Sequence, residues 1–422
     1  MDLIGRARQQ GLTIRAAGTG HSFNSLACTD GLLLDLSGYR GIVDIDRAAM
    51  SVTVRPGTTL WQLSAVLDRE GLALANIGSL GDQTVAGAVS TGNHGTGMSH
   101  PPLSGEITAL RLVTADGRAR TLDGGSDPTT FNCARTALGV LGIITAVTLR
   151  CVPRFRLRAA DQDEPLDRLL DRFDAWTTSA EHVSFTWLPW TDNASTRALH
   201  VTADAPTRGA GRRRYNATVQ EVRCGLVAQA ARVSPSAVHR LSDRAARRAT
   251  SPRPYVDVSH RVFTFPQPVR FLAMEHALPL ERVVPAIREL RGALRRSDLH
   301  SPYSVLVRVG APDDAPLSPA YGRATGYINL TIPRTAAHIE ILRIVEHVMR
   351  EHEGRPHWGK AHTATAEVLA PRYPGWSAFL RTRAQLDPTG LFGNDYVDRV
   401  LGPNVAPHEA IGDRGELAAG KG

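Results

Sequence analysis

The chain has 422 residues, enough for two or three packed domains, since single hydrophobic cores stop growing near ~250–300 residues. Its 42% hydrophobic and 21% charged residues are typical of a globular protein, and no apolar run approaches the ~18–20 residues of a membrane-spanning helix. The net charge of +8 is spread out and aromatic residues make up only 6%, which argues against a nucleic-acid partner. The densest basic run, at 212–214, is typical of a solvated loop. Four scattered cysteines without CxxC spacing, and the lack of a leader pattern, favour a reducing cytoplasm.

The first part of the chain, residues 1–153, alternates short strands and turns with one clear helix. The helix is predicted over 58–71, with Thr58 or Thr59 as its N-cap and Gly71 at its end. Apolar runs and period-two alternation predict strands. These strands are 12–18, 31–38, 42–46, 51–55 and 142–153, the last stopped by Pro153.

The remainder of the chain changes character and predicts a second, α+β domain over 154–350, built on an antiparallel sheet. Its helix at 338–352 carries an apolar stripe. The predicted strands are 182–190, 269–278, 303–310 and 325–333. A closing segment follows at 351–403, and residues 404–422 are predicted to form a mobile tail.

Three glycine-rich stretches stand out in the first domain. In "AAGTGHSFN" (16–24), Gly18 and Gly20 allow a tight turn that presents N–H groups to an anion. A Rossmann fingerprint requires a third glycine and a helix after the turn, and this stretch has neither. The stretch 75–97 holds six glycines around the apolar "VAGAV", which favours backbone running close to an extended ligand over a surface loop. The run "ALGVLGIITAV" (137–147) is typical of close approach to a flat ring.

Lysine is rare in this chain. Lys360, in "GRPHWGKAHT", and Lys421 are the two lysines, so 47 of the 49 basic residues are arginines. An ammonium is a compact point charge whose pKa shifts on burial, whereas a guanidinium is planar and always protonated. A lysine kept at position 360 therefore indicates a specific chemical requirement.

The order of these motifs resembles a known family. "GTGHSFN", "GDQTVAGAVSTGNHGTG" and "GVLGIIT" are similar to the FAD domain of the vanillyl-alcohol-oxidase (PCMH-type) superfamily. The segment 354–402 resembles the C-terminal signature of the sugar-1,4-lactone oxidases and alditol oxidases. The resemblance covers roughly 12–153 and 255–402, and it implies an α+β, two-domain FAD-binding fold with a substrate domain over the flavin.

The resemblance implies FAD as the cofactor, covalently joined through His21 to the flavin C8α methyl; the alternative is that His21 only hydrogen-bonds in its loop. Tethering prevents cofactor loss and raises the flavin potential. The implied cofactor-binding residues are Gly18, Thr19, Gly20, His21, Ser22, Ser79, Thr84, Gly87, Thr91, Gly92, His94, Gly95 and Ile144.

Arg308 and Lys360 match the catalytic arginine and lysine of that family, which implies hydride transfer from a CH–OH carbon to flavin N5. A fixed cation would stabilise the negative charge that develops on the flavin, and a positive field favours loss of the hydroxyl proton. O₂ or another acceptor would take the electrons. For Arg308 the alternative interpretation is a structural salt bridge.

Two positions depart from the family pattern on the substrate side. Leu306 stands where the family has a glutamate two residues before the arginine, and Asn329 replaces the histidine of a His-x-Thr motif that ends at Thr331. Asn329 and Thr331 remain the predicted substrate-binding residues. Either the substrate differs, or another carboxylate, Glu275 or Glu367, takes the missing place.

The resemblance also implies about 25 further residues ahead of the first helix, so the start is either misassigned or trimmed. A catalytic metal is not expected, because the pairs His357/His362 and His347/His352 do not match the spacing of known metal motifs.

The prediction is thus a flavoprotein that oxidises a CH–OH group of a polyhydroxylated, sugar-like substrate such as an aldonolactone or alditol. Two alternatives stay open: a natural-product tailoring oxidase acting on a glycosidic or cyclitol intermediate, and a flavin-binding protein without catalysis, which Leu306 would explain.

Overall fold

The computed structural model describes residues 2–189, 191–209, 254–265, 271–297, 299, 304–332 and 338–404. The basic run 212–214 and most of the predicted tail lie outside these residues. Within the described ranges, no helix combines the length and the apolarity that crossing a lipid bilayer requires.

Strands carry most of the framework in the described part of the chain. In chain order they are β1 (Ile14–Ala17), β2 (Leu32–Asp35), β3 (Ile42–Asp46), β4 (Ser51–Val54), β5 (Leu72–Ala73), β6 (Ile107–Val113), β7 (Ala119–Asp123), β8 (Ile143–Arg150), β9 (Val152–Pro153), β10 (Arg156–Pro165), β11 (His182–Trp187), β12 (Asn193–Thr202), β13 (Tyr255–Val258), β14 (Leu272–Pro279), β15 (Val305–Gly310), β16 (Thr325–Ile332) and β17 (Arg355–Pro356).

The helices of the described residues pack around these strands. They are Asp2–Gln10, Leu60–Arg69, Val85–Ser90, Pro128–Arg135, Leu166–Asp171, Phe173–Thr177, Ser259–Phe263, Val283–Arg296, His338–Glu351, Ala366–Leu369, Trp376–Leu386 and Asp395–Leu401. Short 3₁₀ turns cover Leu103–Glu106, Leu280–Arg282 and Ala370–Arg372.

The first sheet has the order β3-β4-β8-β6-β7 among the described strands, and all its pairs are antiparallel. The helix Leu60–Arg69 packs its leucines into the same core, and a capping box of Thr59 and Gln62 fixes its start, as the sequence predicts. The prediction of one strand over 142–153 is wrong at its end. Strand β8 ends at Arg150, and Cys151 separates it from β9. Pro153 does not stop the strand but pairs with Leu72 of β5 in a separate two-stranded ladder.

The second sheet has the order β13-β10-β12-β11-β15-β16-β14-β17 among the described strands. One face packs valine, leucine and isoleucine side chains against the helices Val283–Arg296 and His338–Glu351. The opposite face is polar, because successive residues of a strand point to opposite sides of the sheet. This polar face carries the candidate site.

The closing segment returns to the first core. Trp358, Phe379 and Val397 are buried there, and Trp358 donates to the carbonyl of Leu317. The loop that holds Lys360 is therefore packed between the two parts of the chain.

Candidate active site

The cross-strand register of the second sheet brings distant residues into rows on its polar face. Leu306 of β15 faces Asn329 of β16, and Asn329 faces Glu275 of β14. In the next row, Arg308 faces Tyr327. Since neighbouring strands lie about 4.8 Å apart, residues far apart in the sequence become near neighbours.

Lys360 lies at the edge of this face because its loop continues along β14. The backbone N–H groups of His357 and Ala361 donate to the carbonyls of Glu275 and Ala273, at 2.9 and 3.0 Å. From the other side, Asn24 donates to the carbonyl of Lys360 at 2.9 Å. The predicted flavin loop and the lysine loop are thus tied together.

The Lys360 ammonium contacts two acceptors. Nζ lies 2.8 Å from Oε2 of Glu275 and 2.8 Å from Oδ1 of Asn329. The side chain remains 20% exposed, whereas that of Glu275 is 1% exposed. Burial lowers the pKa of Lys360, the charge of Glu275 opposes that shift, and Arg308 adds to it.

Glu275 is the one of the two carboxylates considered from the sequence that contacts Lys360. Its two oxygens accept from Lys360 and contact His94 Nε2 at 2.8 Å. Burial alone would raise the pKa of Glu275, but Lys360 and His94 hold it well below its usual range. Glu367, the other candidate, is exposed on the helix Ala366–Leu369.

His94, predicted to bind the cofactor, lies against this cluster. Its Nδ1 is 2.9 Å from the carbonyl of Gly95, and its ring stacks on that of Tyr327 with centroids 3.5 Å apart. Burial lowers the pKa of His94, while Glu275 acts to raise it. Tyr327 is buried, and its hydroxyl has no hydrogen-bond partner among the described residues.

Arg308 is half-buried and donates to Ser79 Oγ at 3.3 Å, which links the sheet to the second glycine-rich stretch. Burial lowers the pKa of Arg308 and Glu275 opposes the shift. No carboxylate within salt-bridge distance of Arg308 occurs in the described chain, so the structural salt bridge considered from the sequence is not present there. Its positive charge is directed to the polar face instead.

Asn329 and Thr331 form a pair beside Lys360. Asn329 Nδ2 lies 3.3 Å from Thr331 Oγ1, while its Oδ1 accepts from Lys360. The amide is therefore oriented by the ammonium, and Thr331 stands one row further along the same strand face.

In the glycine-rich loops that are predicted to hold FAD, neighbouring side chains occupy the space that a Cβ atom would need at some of the glycines. A Cβ at Gly18 would overlap Oγ1 of Thr84, and one at Gly95 would overlap Oδ1 of Asn76. Gly20 and Gly92 have φ of +69° and +74°, a conformation that favours glycine.

The loop at 18–22 fits a pyrophosphate ligand. Its backbone N–H groups donate to no other described residue, and the side chains of His21 and Ser22 are half-buried. Burial lowers the pKa of His21, against the opposing charge of Asp82. Of the other predicted cofactor-binding residues, Thr84, Thr91 and Ile144 have local structural roles.

Thr84 caps the helix Val85–Ser90 by accepting from the N–H of Gly87. Thr91 donates to the carbonyl of Gly87, and Ile144 is a buried residue of β8. Thr19 is exposed at the tip of its loop. The apolar "VAGAV" lies within the short helix Val85–Ser90, and its valines and alanines are buried.

Sequence reasoning missed the group formed by His94, Glu275 and His357. One ring nitrogen of each histidine and one carboxylate oxygen of Glu275, the kinds of atom that can bind a metal ion, all lie within 4.8 Å of one another. Its carboxylate already binds a cation, the Lys360 ammonium, and Nδ1 of His357 accepts from the N–H of Gly359. Tyr327 was also missed, although period two along β16 places Tyr327, Asn329 and Thr331 on one face.

Both parts of the chain match family models of known proteins. The family model of an FAD binding domain matches residues 2–123, and that of D-arabinono-1,4-lactone oxidase matches residues 147–400. The chain is 38% identical to the L-gulono-1,4-lactone dehydrogenase of Mycobacterium tuberculosis over 403 residues, covering 95% of this chain and 93% of the relative. It is 31% identical to an alditol oxidase of a Streptomyces species, covering 92% and 90%.

Solved structures match in fold. Cholesterol oxidase from Brevibacterium sterolicum superposes with a TM-score of 0.76 at 17% identity, covering 95% of this chain and 92% of the other. Xylooligosaccharide oxidase from Myceliophthora thermophila gives 0.71 at 15% identity, covering 96% and 88%. Both are similar in fold at an identity too low to transfer more than that. The chain therefore belongs to the D-arabinono-1,4-lactone oxidase family, and it is an FAD-dependent oxidoreductase that acts on the CH–OH group of sugar-like molecules.

Proposed function

We propose that this protein oxidises a ring or side-chain hydroxyl of an aldono-1,4-lactone to a carbonyl. The relative with 38% identity is named for a 1,4-lactone, whereas the alditol oxidase relative is less similar, at 31%. Asn329 supports the same choice, because it replaces the histidine of the alditol oxidase motif. When bound, FAD supplies the hydride acceptor, and O₂ or another acceptor later removes the electrons.

The observation that carries the proposal is the geometry around Lys360 Nζ. Two of its positions are taken by Glu275 and Asn329, both at 2.8 Å, and the side chain is 20% exposed. The third position is available to a substrate hydroxyl at the polar face of the sheet. Arg308 adds a second cation near the point where negative charge develops.

The proposed division of labour follows the two cores. Residues 1–153 would hold FAD, residues 154–350 would cover the substrate, and 351–403 would return Lys360 to the flavin. We further propose that Ser79, hydrogen-bonded to Arg308, lies where the two meet. The scattered positions of the four cysteines, without CxxC spacing, support a reducing compartment such as the cytoplasm.

Anaerobic titration tests the reaction. We expect L-gulono-1,4-lactone to bleach the oxidised flavin spectrum, with xylitol reacting more slowly and a simple alcohol such as 2-propanol serving as the control. Faster bleaching by xylitol would reject the lactone preference. Flavin that neither sugar-derived compound bleaches would favour a flavin-binding protein without catalysis.

Covalent attachment of FAD to His21 is a separate proposal. The lowered pKa of His21, caused by burial, keeps its imidazole unprotonated and therefore nucleophilic. Peptide mass after proteolysis should show the flavin on the fragment containing His21, and the His21→Ala variant should release its FAD on denaturation. An unmodified His21 peptide from yellow protein would reject the linkage.

A further inference from the structure

Leu306 is an apolar side chain on the polar face of the second sheet. Val305, Val307 and Val309 of β15 pack into the core on the opposite face, so alternation places Leu306 on the same side as Arg308. Leu306 is half-buried, and among the described residues it belongs to none of the hydrophobic clusters. Packing against other apolar residues of the described chain therefore does not account for a leucine here.

The cross-strand neighbours of Leu306 are polar. It faces Thr186 of β11 on one side and Asn329 of β16 on the other. Side chains directly opposite each other on one face of a sheet have Cβ atoms about 4.5–5.5 Å apart. Asn329 accepts from Lys360 at 2.8 Å, so one side chain separates Leu306 from the Lys360 amine. A single leucine on an outer surface needs no explanation, whereas this one lies beside the candidate site.

The contacts of Lys360 explain why position 306 can lack a carboxylate, but not why it holds a leucine. Glu275 and Asn329 already occupy two positions around Lys360 Nζ, both at 2.8 Å. A serine or glutamine at position 306 would simply continue the polar row. Leucine offers no hydrogen bond, so a substrate hydroxyl pressed against it loses water without gaining a partner. A methyl group in the same place gains an apolar contact.

We propose that Leu306 is a specificity-determining residue that contacts a deoxygenated carbon of the substrate, so that the preferred substrate is a 6-deoxyaldono-1,4-lactone. This inference rests on the proposed function and narrows its substrate class. A lactone whose reacting hydroxyl meets Lys360 Nζ extends across Asn329, and its far end reaches Leu306 one strand further, about 4.8 Å away. In a six-carbon lactone oxidised at a ring hydroxyl, that far end is C6. It carries a hydroxyl in the parent lactone and is a methyl group in the 6-deoxy series.

Two lactones that differ by one oxygen atom test this contact: L-gulono-1,4-lactone and 6-deoxy-L-gulono-1,4-lactone. Anaerobic stopped-flow absorbance of the oxidised holoenzyme, over a range of lactone concentrations, separates the dissociation constant from the limiting rate of flavin reduction. We expect the 6-deoxy lactone to bind at least ~10-fold more tightly, the scale of one apolar group in an apolar pocket. The limiting rates should be similar, because C6 is remote from the reacting C–H bond. Equal dissociation constants, or tighter binding of the parent lactone, would overturn the proposal.

Variants show whether Leu306 causes the preference. Leu306→Gln offers hydrogen bonds at nearly the same size and should remove most of the ratio between the two dissociation constants, chiefly by weakening the 6-deoxy lactone. Leu306→Met keeps an apolar side chain and should retain the ratio. Val201→Gln, at an exposed position of β12 in the same sheet, is the matched control and should behave as the wild type. A Leu306→Gln variant that keeps the ratio, or that weakens both lactones equally as lost packing would, contradicts a contact with the substrate.

The outcome can be separated from that of the proposed function. If neither lactone reduces the flavin, isothermal titration calorimetry of the same holoenzyme still gives both dissociation constants. A preference for the 6-deoxy lactone that Leu306→Gln removes would then reject the proposed oxidation and leave the Leu306 contact standing. If both lactones reduce the flavin with equal dissociation constants, the proposed oxidation stands and the Leu306 contact is rejected. Failure of both lactones to bind would reject both.

Discussion

The two regions that meet at the candidate site are built in different ways. The glycine-rich loops around Gly18 and Gly95 depend on backbone shape, because any side chain there would overlap Thr84 or Asn76. The polar sheet face depends on side chains that strand register brings together, such as Glu275, Asn329 and Lys360. The first kind of site is visible as a sequence motif, whereas the second tolerates exchange of one residue for another nearby.

Replacing Lys360 should give the largest effect on the sheet side. In Lys360→Met, FAD should stay bound while the rate of flavin reduction by lactone falls at least ~100-fold, the scale of losing one preorganised polar group. Anaerobic stopped-flow absorbance measures this rate, and Lys421→Met is the control. Normal reduction in Lys360→Met would remove Lys360 from the mechanism.

Gly18→Ala should instead damage the loop side. The added Cβ overlaps Oγ1 of Thr84, so we expect the free energy of unfolding to fall by about 1–3 kcal/mol and FAD retention to drop. Chemical denaturation and the flavin-to-protein absorbance ratio report both effects. Gly5→Ala, where nothing lies within 4 Å and the residue is helical, should be neutral or stabilising. Equal damage at both positions would mean that close packing at Gly18 is not the reason for glycine.

His276, the buried histidine of β14, should make the stability of the folded protein sensitive to acid. Burial lowers the pKa of His276 to about 3, so this histidine stays neutral in the folded protein while the unfolded chain takes up a proton below pH ~6.5. Stability is then fully present above about pH 6.5 and is lost as the pH falls toward about 3. At about pH 5 the loss is about 2 kcal/mol for this group.

Denaturation at about pH 7 and about pH 5 measures this loss. The stability of His276→Gln should depend less on pH over that interval than the stability of the wild type does, whatever its stability at neutral pH. Gly5→Ala, which changes no titrating group, should show the wild-type dependence. An unchanged pH dependence in His276→Gln would contradict the buried, neutral state.

Glu275→Gln should give the smallest effect, because the amide keeps the shape and one acceptor for Lys360. We expect flavin reduction to slow about tenfold, which corresponds to about 1.4 kcal/mol at the barrier. Glu367→Gln is the matched control, since Glu367 is exposed and should leave the rate unchanged. The reverse ranking would make Glu367 the functional carboxylate.

Local sequence patterns predicted the features of this protein that depend on backbone conformation. Strands, the capped helix that begins after Thr59, and the glycine loops follow from such patterns, and the motif order indicated FAD and the family. The sequence could not choose between Glu275 and Glu367, because that choice depends on which strands pair. Neither could it reveal the stack of Tyr327 on His94, which joins residues from different halves of the chain.

We expect Glu275, which lies on β14 with β16 between it and Leu306, to serve Lys360 in place of the glutamate that the family has at position 306. A double-mutant cycle of Lys360→Met and Glu275→Gln on the anaerobic reduction rate tests this role of Glu275. If Glu275 acts through Lys360, the double variant should be no slower than Lys360→Met alone. Losses that simply multiply, with the double variant about tenfold slower than Lys360→Met, would show that the two residues act independently and would contradict the role assigned to Glu275.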